Sequence, residues 1–155
     1  MMIGSLVNSA VLVADVAAKT KESALKELVA AAQTAGSFDE KTAKMLCKRL
    51  QERETIGSTG LGNGVAVPHV KGADLARVTM VLARSKKGLE WQAIDGRPVH
   101  VLFLLVSPAG EPELHLQCLR WIAGLARSVD FRRFLMAAAD VTGMRELLRE
   151  MAQKG

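Results

Sequence analysis

The stretch GLGNGVAVPHV, from Gly60 to Val70, has glycines at alternate positions, a short apolar run, and then Pro68 and His69. Neutral imidazole has a lone pair, and its pKa lies near physiological pH. It can attack phosphorus directly and hold the phosphoryl group as a phosphoramidate. Such a step needs in-line access, donors for the phosphoryl oxygens and exclusion of water. Pro68 stiffens the chain before His69, and a loop of small residues gives a partner room to approach. Arginine is the best single donor for phosphate, through its fork geometry and permanent charge. Arg53 precedes His69 by 16 residues, and His115 follows it by 46. His115 can donate one more hydrogen bond. Backbone N–H groups of Thr59 or the glycines can supply others.

Each of these residues also has a plain structural reading. A histidine after proline is commonly a turn residue, and one on an inner helix face is commonly a core residue. His100, in mid-strand, is read as structural. The glycines also suggest a nucleotide cradle. However, GLGNG lacks the last spacing of GxGxxG, and no GxxxxGK[ST] occurs. A dinucleotide loop runs from strand into helix, with phosphate at the helix N-terminus. Here the order is helix, loop, strand, so the cradle is set aside. Spacing alone does not show that Arg53, His69 and His115 converge.

The elements that must position these residues follow from periodicity. Ala10–Val16 reads as a first strand. Thr20 is the expected N-cap of a helix with Glu22 in its first turn. Its apolar stripe is Ala24, Leu25, Leu28, Val29 and Ala32, and Gly36 ends it. Ser37–Glu40 reads as a capping box with Ser37 as N-cap. In the second helix Leu46, Leu50 and Arg53 share one face, which turns Arg53 inward. Val65–Val67 is a short strand, and another begins at Val78. Val99–Val106 is apolar on both faces and rich in β-branched residues, so it is a central strand covered on each side. Pro112 suits the first turn of the next helix. Glu113, Gln117, Arg120 and Arg127 form its polar stripe. His115, Cys118, Leu119, Ile122 and Ala126 form its inner face, so it should be mostly buried. A break near Ser128 precedes a shorter helix over Phe131–Ala138, and a last amphipathic helix follows Thr142. The order predicts an α/β or α+β fold, a sheet with helices on both faces.

A chain of 155 residues suits one domain. With 49% hydrophobic and 24% charged residues, the composition is globular. No apolar stretch approaches the roughly 20 residues that cross a bilayer. The apolar start has no preceding Lys or Arg and so lacks a secretory n-region, which implies the cytoplasm. Cys47 and Cys118 have no CxxC or zinc spacing and are read as buried thiols, with no metal expected. The net charge of +5 favours anionic partners. Yet the basic residues are dispersed, and there is no Tyr to stack on bases, so nucleic-acid binding is not expected.

The stretch RETIGSTGLGNGVAVPHVK, Arg53 to Lys71, closely resembles the active-site region of the type-2 enzyme IIA domain. That is the fructose/mannitol and nitrogen-regulatory branch of the bacterial phosphoenolpyruvate-dependent sugar phosphotransferase system. The pattern is Arg-Glu, a Thr-Gly with further glycines, an apolar triplet, then Pro-His. PELHLQCLRWIAGLA resembles the family's second histidine opening a long helix, and FLLVSP the strand and loop before it. The resemblance runs from about Leu12 to Leu148. It implies one domain over residues 1–155, with a mixed sheet flanked by helices. It implies that His69 is phosphorylated through Nε2, and that Arg53 and His115 hold and neutralise the phosphoryl group. Glu54, Thr59, Gly60 and Pro68 would shape the pocket. No metal or organic cofactor is implied. The implied donor is the phosphohistidine of the carrier HPr or its nitrogen-branch counterpart. The implied acceptor is a IIB component or a regulatory target. The chain ends soon after the domain, with no fused IIB or membrane IIC portion, which leans toward a stand-alone nitrogen-type regulator. Two features depart from the family. Val70 stands where a smaller or polar residue is usual, and the chain is basic where many relatives are acidic. The rival expectation is an interaction protein that keeps the fold without the relay.

Overall fold

The computed structural model describes residues 2–154. Its spine is an antiparallel pair, β5 (Thr79–Leu89) and β6 (Val99–Pro108), with Thr79 opposite Val106 and Arg84 opposite Val101. On the far side of β5 lies β1 (Val11–Val13), parallel to it. The other side of β6 takes two short strands in succession, both parallel to it. β3 (Val65–Ala66) pairs with Val101 and Leu102, and β4 (His69–Ala73) begins with His69 opposite Leu105. β2 (Gly60–Gly62) runs antiparallel to β3. The sheet is therefore mixed, in the order β1-β5-β6-β3-β2, with β4 also on β6.

Helices cover both faces, as the element order predicts. One core cluster packs α2 (Lys21–Thr34) and α3 (Glu40–Ile56) on the sheet through Leu25, Leu28, Leu46 and Leu50. The opposite cluster packs α1 (Met2–Ser9), α4 (Pro112–Arg127), α5 (Val129–Ala137) and α6 (Val141–Lys154) through Leu6, Ile122, Phe131 and Leu148. β6 is buried on both sides except at His100 and Pro108, which its continuous apolar run requires. His100 is structural, with Nδ1 2.8 Å from the Ser85 carbonyl. Arg84 lies buried on β5, where it donates to the carbonyls of Ala14, Leu135 and Ala138 and ties the sheet to the end of α5.

Several expectations are corrected. The first strand shrinks to Val11–Val13, and the residues before it form α1. Arg145 on α6 donates to the carbonyls of Val7, Asn8 and Ala10, which satisfies the open end of that helix. Thr20 does cap α2, in a reciprocal box with Ser23. The cap of α3 is Asp39, whose carboxylate accepts from the Thr42 N–H at 2.8 Å; Ser37 is not the cap. The Ser37 N–H instead closes the α2 end on the Ala32 carbonyl, so that residue belongs to the turn. Leu119 on α4 is only partly buried, and Leu116 is 41% exposed, so α4 is half solvated. Cys118 is buried but Cys47 only partly so.

Candidate active site

The glycine stretch forms a hairpin. Asn63 and Gly64 are the two turn residues between β2 and β3, with φ of 58° and 77°. Positive φ at both positions is the Asn-Gly type I′ turn, whose twist suits the paired strands. Gly60 is a close approach: a Cβ there would lie 2.7 Å from the Ala93 Cβ. The expectation that these glycines clear room for a partner therefore gives way to a local reason. They let β2 turn tightly and let the Trp91–Asp95 segment pack on it.

Beyond the hairpin, Pro68 interrupts the strand. It has no N–H, so β3 stops at Ala66 and β4 restarts at His69. The Pro68 carbonyl still accepts from the Leu105 N–H at 3.0 Å, which holds the break against β6. Here the Val67 carbonyl meets the side chain of His69, 2.7 Å from Nδ1. A carbonyl only accepts, so Nδ1 carries the proton and Nε2 keeps its lone pair. Successive strand residues alternate faces. His69 accordingly approaches α4, while Val70 packs with the α2–α3 cluster. Val70 is buried in that cluster and also borders the space next to His69.

β4 has only β6 as a strand partner among the described residues; α3 packs against β4, and α4 packs against β6. Between them lies a cavity of about 720 Å³, lined by His69, His115, Arg53, Arg49, Lys71 and neighbours. The two imidazole rings lie 5.7 Å apart, centre to centre, tilted by 48°. His115 is buried in the first turn of α4, its Nδ1 2.6 Å from the Ser107 hydroxyl. Burial, then the charges of His69 and Lys71, hold its pKa below the usual imidazole value. Arg53 is half-buried, and its guanidinium is braced on the Gly57 carbonyl at 2.8 Å. Arg49 donates to the Lys71 carbonyl at 2.8 Å. Glu52 and Glu113 also border the space. Three cations and the start of α4 still leave it a place suited to an anion.

The structure thus gathers Arg53, His69 and His115. Glu54, Thr59, Gly60 and Pro68 do not line the cavity. Glu54 pairs with Lys21 at 2.7 Å and accepts from both the N–H and the hydroxyl of Thr59. The Trp91 indole N–H donates to the Thr59 hydroxyl at 3.2 Å. Lys21 and Ser58 both donate to the Trp91 carbonyl. The Gly60 N–H is taken by Ser58 at 3.1 Å. Since the Thr59 and Gly60 amides are spent on this network, they are not free donors for a ligand. Together these residues form a buried strut that fixes the turn between α3 and β2, and with it the carbonyl that braces Arg53. Sequence reasoning missed Arg49, Lys71 and Ser107. Arg49 was findable, because it stands one turn before Arg53 on the same helix face.

A family profile described as "Phosphoenolpyruvate-dependent sugar phosphotransferase system, EIIA 2" matches residues 5–151, and the chain belongs to this family. It is 33% identical over 149 residues to a nitrogen regulatory protein of Bradyrhizobium diazoefficiens, covering 96% of this chain and 95% of the relative. It is 33% identical over 134 residues to the fructose-specific EIIA component of Haloferax volcanii, covering 86% of each. The chain also aligns at 27% identity with the fructose-specific EIIABC component of Bacillus subtilis, but spans only 23% of that protein. The crystal structure of nitrogen regulatory protein IIA-Ntr from Neisseria meningitidis superposes with a TM-score of 0.83 at 28% identity, covering 96% of this chain and 99% of that one. The relatives therefore include sugar-specific components and nitrogen regulators. No helix among the described residues is long and apolar enough to cross a membrane.

Proposed function

We propose that the chain acts as one EIIA domain over residues 1–155, and that His69 is its phosphoryl acceptor. The observation that carries this reading is the contact of His69 Nδ1 with the Val67 carbonyl, which leaves the Nε2 lone pair free beside Arg53 and His115. The donor is the phosphohistidine of HPr or of its nitrogen-branch counterpart. As the donor P–N bond breaks, an Nε2–P bond forms on His69. The donor imidazole keeps the electron pair of the broken bond, and His69 retains its Nδ1 proton. Arg53 and His115 hold the phosphoryl oxygens, while Lys71 and the start of α4 add positive potential. No metal or organic cofactor enters the step. The phosphoryl group then passes to a IIB component, or its presence on His69 is read by a regulatory target; relatives of both kinds support either outlet.

The test is incubation with phosphoenolpyruvate, enzyme I and HPr, followed by intact-mass analysis. One acid-labile phosphoryl group is expected on the native chain and none on His69→Ala. Arg53→Ala should slow labelling about 10²-fold, the usual cost of losing one donor to a transferring group. A native chain that stays unlabelled by HPr and by the nitrogen-branch carrier alike would overturn the reading in favour of an interaction protein without a relay.

A further inference from the structure

Two histidines face one cavity, and their Nδ1 atoms meet partners of different chemistry. For His69 the partner is a carbonyl, which accepts only. For His115 it is the hydroxyl of Ser107, which can donate or accept. The direction of that second bond follows from hydrogen-bond satisfaction. Ser107 is fully buried at the end of β6. Among the described residues its hydroxyl has one partner within hydrogen-bond distance, His115 Nδ1, at 2.6 Å. If Nδ1 carried the proton, Ser107 would accept it, and the Ser107 O–H would be buried with no acceptor. A buried donor without a partner costs about 1–3 kcal/mol. If Ser107 donates, both groups are satisfied, and the His115 proton sits on Nε2. That atom has no protein partner and is not sealed from solvent, since no buried side-chain nitrogen or oxygen among the described residues lacks one. Water or a phosphoryl oxygen can take its proton.

We propose that Ser107 is a positioning residue that fixes His115 in the Nε2–H tautomer and so makes it a donor to the phosphoryl group. The two rings thereby hold opposite tautomers. His69 offers a lone pair at Nε2, and His115 offers a proton at Nε2. One fold separates nucleophile from donor by placing a carbonyl behind one ring and a hydroxyl behind the other. The role of His115 toward phosphate rests on the phosphocarrier reading; the tautomer itself does not.

The tautomers are read directly by long-range ¹H–¹⁵N spectra of ¹⁵N-histidine-labelled protein, at a pH well above the ordinary imidazole value of 6.5. The native chain should show His69 protonated at Nδ1 and His115 at Nε2. Ser107→Ala should leave His115 as a mixture of tautomers and slow phosphoryl transfer to His69 about tenfold, the worth of one hydrogen bond. Ser107→Thr keeps the hydroxyl and should restore both the spectrum and the rate. A native His115 protonated at Nδ1 overturns the assignment. So does a threonine variant that folds but behaves like the alanine variant. If Ser107→Ala fails to fold, the native spectrum and the threonine variant decide. A native chain that shows the expected tautomers yet takes no label would defeat the phosphocarrier reading and leave the tautomer assignment intact.

Discussion

His115 shows how much of a site depends on what lies behind a side chain. Its pKa is lowered first by burial, then by the charges of His69 and Lys71. The unfolded chain therefore binds this proton more readily than the folded one. Between the folded pKa and 6.5 the unfolded state carries the extra proton, so stability rises with pH there. The contribution is whole above 6.5 and is lost as pH falls through the folded value. Thermal melts should show Tm dropping on acidification across that window, and His115→Gln should flatten that part of the slope. An identical slope in the variant would remove His115 as its source. At this scale the sequence made the candidate trio legible, because residue type and family pattern single out Arg53, His69 and His115, which line one cavity. It did not make their supports legible. The Val67 carbonyl carries no side-chain signature, and Ser107 is an ordinary serine until β6 and α4 bring it behind His115.

At the scale of elements, what matters is the joint between α3 and β2. Glu54 and Lys21 are 6% and 12% exposed, so their pair is largely desolvated. Glu54→Gln leaves a buried lysine without its counter-charge, and breaking such a pair costs about 3–5 kcal/mol. Glu40→Gln is the matched control. Its partner Lys44 is one turn along the same helix and both are exposed, so the loss should stay below about 0.5 kcal/mol. Urea titration of the two variants separates them; equal midpoints would mean the strut carries no stability. The strong apolar patterns of α2 and β6 were readable, since core burial imposes them. The caps were less so. Ser37 and Asp39 both satisfy the composition of an N-cap, and only the path of the turn after Gly36 decides for Asp39. α1 escaped because its eight residues hold no acidic start or basic end to mark a helix. Its support comes from Arg145, far away in sequence. The glycines misled for a related reason. Their count is legible, but whether they admit a partner or a neighbouring loop depends on where Ala93 lies.

Across the whole molecule, the cavity is lined by charges of both signs and by apolar side chains. Ile56 on α3 is 83% exposed and Leu116 on α4 is 41% exposed, and both line the cavity. An apolar side chain at the mouth of a charged site suits a protein donor better than a small one. Ile56→Asp should lower kcat/KM for transfer from the carrier about tenfold, with stability unchanged in melts. Equal transfer would place the docking contact elsewhere. The open side of β4 has a different consequence. A strand with unpaired backbone groups is a template for another chain, and natural sheets shield such templates. Here α3 packs against the strand, and its Arg49 guanidinium occupies the Lys71 carbonyl. Arg49→Ala should therefore do more than reduce the charge around His69. It should uncover a seam along which two copies can zip together, seen as concentration-dependent dimers in sedimentation velocity. The same arginine that lines the cavity would then also keep the protein from joining itself.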